Sequence, residues 1–312
     1  MSTPIYDTIA LIGIGLIGSS ISHAARRGGL CRRIVGHAKS EATRATALRL
    51  GLVEAAYETA AEAVKDADLV ILCVPVGACG SIAREIGPHL KPGATLTDVG
   101  SVKGTIVRDC GPFVPPGVHF IPGHPIAGTE HSGPESGFAE LFDNRWCILT
   151  PIEGSDPAAV ERLRDFWRGL GSNVEMMDAD HHDMVLAITS HVPHLIAFNI
   201  VNTARHLERV TDTEVIKFSA GGFRDFTRIA ASDPTMWRDV FLNNREAVLE
   251  MLGRFTEDLT HLQRSIRYGD GDDLFKLFTE ARQTRRGIIQ AGQDTAAPDF
   301  GRHASAPDTP KP

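Results

Sequence analysis

Ile9-Ala10-Leu11-Ile12-Gly13-Ile14-Gly15-Leu16-Ile17-Gly18 passes, within ten residues, from an apolar strand-like run into a glycine turn and on into a helical pattern. The three glycines have the spacing GxGxxG. At a strand-to-helix turn such glycines let backbone N–H groups approach a pyrophosphate at the positive end of the helix. Gly13, Gly15, Leu16, Ile17 and Gly18 are therefore expected to bind a dinucleotide. By themselves the glycines describe no more than a tight turn, so the reading depends on what surrounds them.

Outward from this turn the chain alternates. Thr8–Ile14, Arg33–Gly36, Leu69–Val74, Thr95–Asp98, His119–Ile121, Trp146–Leu149 and Asn173–Met176 read as strands. Leu16–Gly28, Ser40–Leu50, Ala78–Ile86, Val102–Cys110 and Asp156–Gly169 read as helices between them. Strands alternating with helices specify an α/β fold, a doubly wound, mostly parallel sheet of Rossmann type covered on both faces. From Asp178 the β-rich runs stop and long helical patterns follow, Ala179 to about Arg209 and Pro234 to about Tyr268. Asp233-Pro234 starts the second as an N-cap followed by proline at the first helical position. Val248, Leu252, Phe255, Leu259, Leu262 and Ile266 then recur at helical spacing, an apolar stripe that suits either a domain core or a subunit seam. The expected organisation is an α/β domain over 1–177, an all-helical domain over 178–291 and a disordered tail over 292–312, where Pro298, Pro307, Pro310 and Pro312 stand among small polar residues.

Composition narrows the function. A formal net charge of -7 offers no electrostatic footprint for nucleic acid or an anionic membrane. A small-molecule partner fits better. Cys31, Cys73, Cys79, Cys110 and Cys147 are odd in number and form no CxxC pair, so they read as reduced thiols of a cytoplasmic protein. Ile9 to Ile17 is preceded by Asp7 rather than Lys or Arg and is interrupted by glycine, unlike a signal peptide, and nothing else is expected to reach membrane-spanning length.

The end of the second strand chooses between nicotinamide cofactors, because NAD enzymes usually place an acidic residue there on the ribose 2′-hydroxyl. Here the residue is His37, with Lys39 and Arg44 close enough in sequence to meet a 2′-phosphate. NAD is favoured slightly and NADP stays possible. Val74 and Pro75, at the end of the third predicted strand, join the cofactor-binding set. Ser101, where Asp98-Val99-Gly100-Ser101-Val102-Lys103 passes from strand to helix, is placed to cap that helix, to contact nicotinamide, or both.

Gly123-His124-Pro125-Ile126-Ala127-Gly128-Thr129-Glu130-His131-Ser132-Gly133 follows an apolar strand and buries little, which suits a ligand loop with His124 as its acid–base group. In Ser190-His191-Val192-Pro193-His194 a proline interrupts a helical run and frees a carbonyl, and Ser190 and His194 lie one turn apart. A metal is the competing use of His191 and His194, with His181 and His182 as further ligands. No carboxylate or cysteine spacing completes a set, so no metal is expected. Gly221-Gly222-Phe223-Arg224-Asp225-Phe226-Thr227-Arg228-Ile229-Ala230 sets two arginines near a glycine bend, and arginine holds a carboxylate by two parallel hydrogen bonds.

In this order these segments resemble the prephenate and arogenate dehydrogenase family, which includes the cyclohexadienyl dehydrogenases. The likeness runs from about Ile9 to about Gln290, and GHPIAGTE, SHVPH and FRDFTRIA carry it more specifically than the glycine turn. The resemblance implies a Rossmann domain, a helical dimerisation domain making a homodimer, and an active site between them that oxidatively decarboxylates prephenate or arogenate with NAD(P)+. It also implies His124 as the catalytic histidine and Ser101 beside the nicotinamide and the reacting hydroxyl. Glu130 would gate or order the pocket, Ser190, His194 and Arg228 would line the substrate site, and Arg228 would hold a carboxylate. The rivals are another two-domain hydroxyacid-type dehydrogenase, which would carry a catalytic lysine where SHVPH stands, and a dinucleotide-sensing protein without turnover.

Overall fold

A computed structural model describes residues 3–129, 131–211 and 217–290, with side chains left aside at 208–211. Its centre is a parallel sheet of β1 (Tyr6–Ile12), β2 (Cys31–His37), β3 (Ala55–Tyr57), β4 (Leu69–Leu72), β5 (Thr95–Asp98) and β6 (His119–Phe120), in the order β3-β2-β1-β4-β5-β6. β1 and β4 are almost wholly buried, which their near-continuous apolar sequences require of central strands covered on both faces. The order reverses between β1 and β4, and that switch point opens the crevice where ligands bind in doubly wound sheets.

α1 (Leu16–Gly28) covers one face through Gly18, Ser19, Ser20, Ile21, Ser22, Ala24 and Ala25, all but Ile21 small residues that bring the helix close to the strands. α2 (Glu41–Arg49), α3 (Ala60–Val64), α4 (Val76–Ile86), α5 (Gly104–Cys110) and α6 (Pro157–Gly169) complete the layers. β3 was not expected. It has only three residues, too few to show a period.

The later strands form a sheet of their own. β7 (Gly123–Pro125), β8 (Trp146–Leu149) and β9 (Asn173–Met176) pair in that order, β7 with β8 antiparallel and β8 with β9 parallel. The expected ligand loop therefore begins with a strand, and His124 opposite Ile148 has a fixed backbone.

α7 (Ala179–Leu186) is followed by a π-helical turn, Ala187–His191, and by α8 (Val192–Thr211). The turn answers the disruption expected around Pro193. With no N–H on Pro193, the ladder loosens and Val192 donates five residues back to Ala187. α9 (Gly221–Thr227), α10 (Pro234–Asn243), α11 (Arg245–Tyr268) and α12 (Gly271–Gln290) follow. The helix expected from Pro234 to Tyr268 is thus two helices, broken at Asn244. Its side-chain amide donates to Asp183 O at 2.8 Å and lies 3.1 Å from His191 Nδ1, and neither bond was visible in the periodicity.

By contacts the chain forms two compact units. The first extends to Thr203 and also takes in Ile229–Met251. The second comprises Ala204–Arg228 and the described residues from Leu252 onward. The run after Asp178 therefore packs with the sheet unit as far as Thr203, held there by polar bonds from Asp183. The expected tail over 292–312 lies outside the described residues.

One expectation is corrected. The helical run Ala179–Leu207 is long and apolar enough, by length and composition alone, to cross a membrane. Its His182, Asp183 and His191 are nevertheless buried within the first unit, hydrogen-bonded to residues of other elements there.

Candidate active site

The glycine turn has an open cradle. Gly13 has φ of 100°, a left-handed conformation that a side chain disfavours, and a Cβ there would stand 2.4 Å from Cys73 O. A Cβ on Gly18 would lie 2.4 Å from Gly13 O, so this glycine lets α1 pack onto the turn. A Cβ on Gly15 would meet nothing within 4 Å. Gly15 is also the N-cap of α1, with no side-chain cap and no acidic residue in the first turn. Backbone N–H groups of Leu16, Ile17 and Gly18 thus open an anion site with room in front of it. Val74 and Pro75 stand beside this turn, where β4 passes into α4.

His37 ends β2, its Nδ1 3.1 Å from Tyr57 O. Lys39 is exposed. Arg44, one of the two expected phosphate contacts, is turned onto the backbone, donating to Ala38 O at 2.8 Å and Lys39 O at 3.2 Å.

At the end of β5 a buried ion pair organises the reacting edge. Asp98 accepts from Lys103 Nζ, from Gly100 N at 2.8 Å and from Gly123 N at 3.1 Å, and Lys103 Nζ also donates to Gly123 O at 2.6 Å. Both side chains are fully buried. Burial pushes the Asp98 carboxyl upward, and Lys103 with the two backbone donors pulls it down. Three converging donors suit the charged form. Gly123, gripped at both its N–H and its carbonyl, is the residue before His124.

Ser101 is not the helix cap. Lys103 is the N-cap of α5, and the cap bonds come from Asp183, whose carboxylate accepts from Lys103 N at 2.7 Å and Gly104 N at 2.8 Å. An acceptor at a helix N-terminus satisfies two orphan donors and opposes the helix dipole favourably. Ser101 is left half-buried.

His124 is 7% exposed, and its Nδ1 lies 2.9 Å from His182 Nε2. His182 is fully buried and its Nδ1 lies 2.8 Å from Asp183 Oδ1. Burial, reinforced by His182, Lys103 and His191 nearby, holds His124 well below the ordinary imidazole range. Burial also lowers His182, against the pull of Asp183. His191 is lowered to about 4, again chiefly by burial. Its Nε2 has no well-formed hydrogen bond among the described residues, and a backbone group of Ser101 is a polar neighbour acting on the ring.

His194 Nδ1 lies 2.8 Å from Ser190 O, a carbonyl of the π turn one helical turn earlier. Its ring stacks on Trp237 of α10, centroids 3.6 Å apart and planes 24° apart. Trp237 is buried, packs near Phe241, and its indole Nε1 has no hydrogen-bond partner among the described residues.

The first unit therefore brings together Ser101, His124, Ser190 and His194 of the expected site residues. It adds Lys103, Asp183, Trp237 and Asn244, which the sequence did not single out as site residues, and His182, which it considered only as a metal ligand. Their signals were weak: a lysine five residues after a strand-end aspartate, an aspartate next to a histidine, an asparagine in an apolar helix. Arg228 begins a 3-10 turn in the second unit and is exposed. Glu130 lies outside the described residues. His182 and His191, weighed as metal ligands, are engaged instead in hydrogen bonds with His124, Asp183 and Asn244.

Residues 21–176 match the family model for the prephenate dehydrogenase nucleotide-binding domain, and residues 178–280 match that for the prephenate dehydrogenase dimerization domain. A cyclohexadienyl dehydrogenase of Zymomonas mobilis is 40% identical over 281 residues, covering 90% of this chain and 96% of that one. A crystal structure of prephenate dehydrogenase from A. aeolicus, in complex with hydroxyphenyl propionate and NAD+, is similar with a TM-score of 0.85 and 35% identity, over 92% of this chain and 99% of that one. The crystal structure of Synechocystis arogenate dehydrogenase gives a TM-score of 0.75 at 27% identity, over 90% and 99% of the two chains.

The buried imidazoles have a measurable consequence. In the unfolded chain each titrates near 6.5, whereas His124, His182 and His191 all resist protonation in the fold. Below that pH the unfolded state binds more protons than the native one, so stability falls as pH falls. His191, lowered to about 4, alone contributes a loss of roughly 2 kcal/mol between pH about 6.5 and about 5. Urea unfolding across this window should show a declining midpoint; a flat one would contradict neutral burial of these rings.

Proposed function

The chain belongs to the prephenate dehydrogenase family, and on that premise we propose how its residues carry the family's reaction. It is a nicotinamide-dependent oxidoreductase that oxidatively decarboxylates prephenate or its amino counterpart arogenate, giving 4-hydroxyphenylpyruvate or tyrosine and carbon dioxide. NAD is the cofactor supported by the likeness to the A. aeolicus complex and by the match to a nucleotide-binding domain. His37, standing where an acidic residue would repel a 2′-phosphate, leaves NADP acceptable as well.

The substrate ring carries a hydroxyl opposite the carbon that bears a carboxylate. Loss of hydride from the carbinol carbon makes a carbonyl conjugated with the diene, and loss of carbon dioxide then yields an aromatic phenol. When bound, NAD+ supplies the hydride acceptor. The turn residues Gly13, Gly15, Leu16, Ile17 and Gly18 would hold its pyrophosphate, with Val74 and Pro75 beside them and His37 and Lys39 toward the ribose. The open space before Gly15 supports that fit.

The chain must then orient the ring and accept the hydroxyl proton. The observation that carries this reading is a neutral His124 fixed on β7, its Nδ1 engaged by His182 and its second ring nitrogen left for substrate. Only a neutral imidazole accepts a proton. Ser101 would hydrogen-bond the reacting hydroxyl, and Ser190 and His194 would line the substrate site. Glu130 would gate or order the pocket. Arg228 would hold a substrate carboxylate, for which a planar guanidinium is suited.

We further read the enzyme as a cytoplasmic homodimer joined through its helical domain. The match of 178–280 to a dimerization domain supports this. So does the apolar stripe of α11. Val248 is buried, whereas Leu259 and Ile266 are exposed, as are Phe275 and Phe278 on α12. Sedimentation should return twice the chain mass, and a monomer across micromolar concentrations would refute the seam.

Absorbance at 340 nm with each substrate and each cofactor tests the activity directly. His124→Asn should lower kcat by about 100-fold or more with the fold and cofactor affinity nearly unchanged, and near-normal turnover would remove His124 from the reaction. Arg228→Ala should raise KM for substrate strongly with a smaller effect on kcat. An unchanged KM would exclude the carboxylate contact.

A further inference from the structure

A base that must accept a proton on one ring nitrogen needs its other nitrogen protonated, and something has to enforce that tautomer. Around His124 a directed series of hydrogen bonds does so. Asp183 only accepts: Oδ1 takes Lys103 N–H at 2.7 Å and Oδ2 takes Gly104 N–H at 2.8 Å. The same Oδ1 lies 2.8 Å from His182 Nδ1, which must therefore carry a proton. A neutral His182 then has its lone pair on Nε2, 2.9 Å from His124 Nδ1. That nitrogen must in turn be the protonated one. The carboxylate thus dictates hydrogen placement across two rings.

We infer that Asp183 and His182 are positioning residues for His124: they hold it with its proton on Nδ1 and its lone pair on Nε2, and they give the accepted proton a second ring to occupy. The inference rests on the role proposed for His124. In the step, the substrate O–H bond breaks and its proton goes to His124 Nε2, while the His124 Nδ1 proton crosses to His182 Nε2. The carbinol hydride leaves to NAD+, which the proposed activity supplies, and the ring carboxylate departs as carbon dioxide. Its bonding pair passes through the ring to the oxygen, which takes the proton back from His124 Nε2 as the phenol forms, and the His182 Nε2 proton returns to His124 Nδ1. Between these two transfers the positive charge is held on His182 against the Asp183 carboxylate, one ring removed from the oxidised carbon.

The charged surroundings favour that destination. Lys103 and His191 act on His124 and disfavour a cation there. On His182, Asp183 and Asp98 favour a cation and Lys103 opposes it. The rings are also packed to preserve the contact, with centroids 5.1 Å apart and planes at 64°.

Asp183 also caps α5, so its removal would disturb the fold whatever else it did. The deciding variants are therefore at His182. His182→Leu removes the acceptor for the His124 Nδ1 proton. His182→Gln keeps an amide acceptor near the Nε2 position but cannot take up a proton. Nitrogen-15 NMR of histidine-labelled protein without cofactor should show His124 as the Nδ1–H tautomer in the wild type and in His182→Gln, and as a mixture of tautomers in His182→Leu. Both variants should lose about 10-fold to 100-fold in kcat with KM within about 2-fold of wild type. In His182→Gln the acid limb of the kcat/KM profile should move to lower pH by about one unit, because the ring beside Asp183 no longer binds the proton.

His124 found as the Nε2–H tautomer in the wild type would overturn the inference, and so would a His182→Gln variant with unchanged kcat and acid limb. If His182→Leu does not fold, His182→Gln and the wild-type spectrum still decide. If the wild type oxidises neither prephenate nor arogenate, the functional reading fails, while the ring tautomer remains readable by itself.

Discussion

The reacting edge of the first unit depends on one buried ion pair. Asp98 ends the fifth strand and Lys103 precedes the fifth helix, and between them they hold the N–H and the carbonyl of Gly123. The backbone N–H of Lys103 is in turn held by Asp183, which meets His182, which meets His124, the residue after Gly123. The bonds close a ring. Such a pair adds little to net stability, because desolvating two charges offsets their attraction, but removing one partner leaves an uncompensated charge worth about 3–5 kcal/mol. Its contribution is positional. His124 is mounted on a strand whose preceding residue, Gly123, is held at both its N–H and its carbonyl by the buried charge pair.

The same burial that makes the ion pair consequential keeps the histidines neutral. Desolvation is the largest influence on His124, His182 and His191 alike, and Lys103 opposes protonation of the first two. Asp183 opposes that trend at His182, and there a positive charge has a partner. Placing one carboxylate behind His182 rather than behind His124 favours a proton on His182 over His124. The helix N-terminus capped by the same carboxylate ties this electrostatic arrangement to the packing of α5 and α7.

The glycine turn, by contrast, is a matter of space. Gly13 needs its positive φ, Gly18 must let a carbonyl approach, and Gly15 faces nothing. These are local demands on the backbone, which is why the spacing GxGxxG alone makes them legible. The alternation of strand and helix is legible for a similar reason, since period and length are local properties. β3 is too short to show a period, and β7 is hidden because His124-Pro125 reads as loop when its antiparallel partner Cys147-Ile148 lies more than twenty residues away.

The site divides along the same line. His124, Ser101, Ser190 and His194 stand in dense polar segments of the sequence, and the fold brings them into one unit. His182, Asp183, Lys103 and Asn244 stand in ordinary helical surroundings. Asn244 breaks a helix that periodicity runs straight through, because its amide is worth more bonded to Asp183 O and His191 than buried in a continuous stripe. By itself the sequence determined the parallel sheet and the glycine turn, and it singled out His124 as the candidate acid–base group, all from patterns within a few residues of one another. Only the tertiary structure decided which nitrogen of that histidine is engaged and what stands behind it, because those bonds join residues 58 and 80 positions apart and no local pattern encodes a contact at that distance.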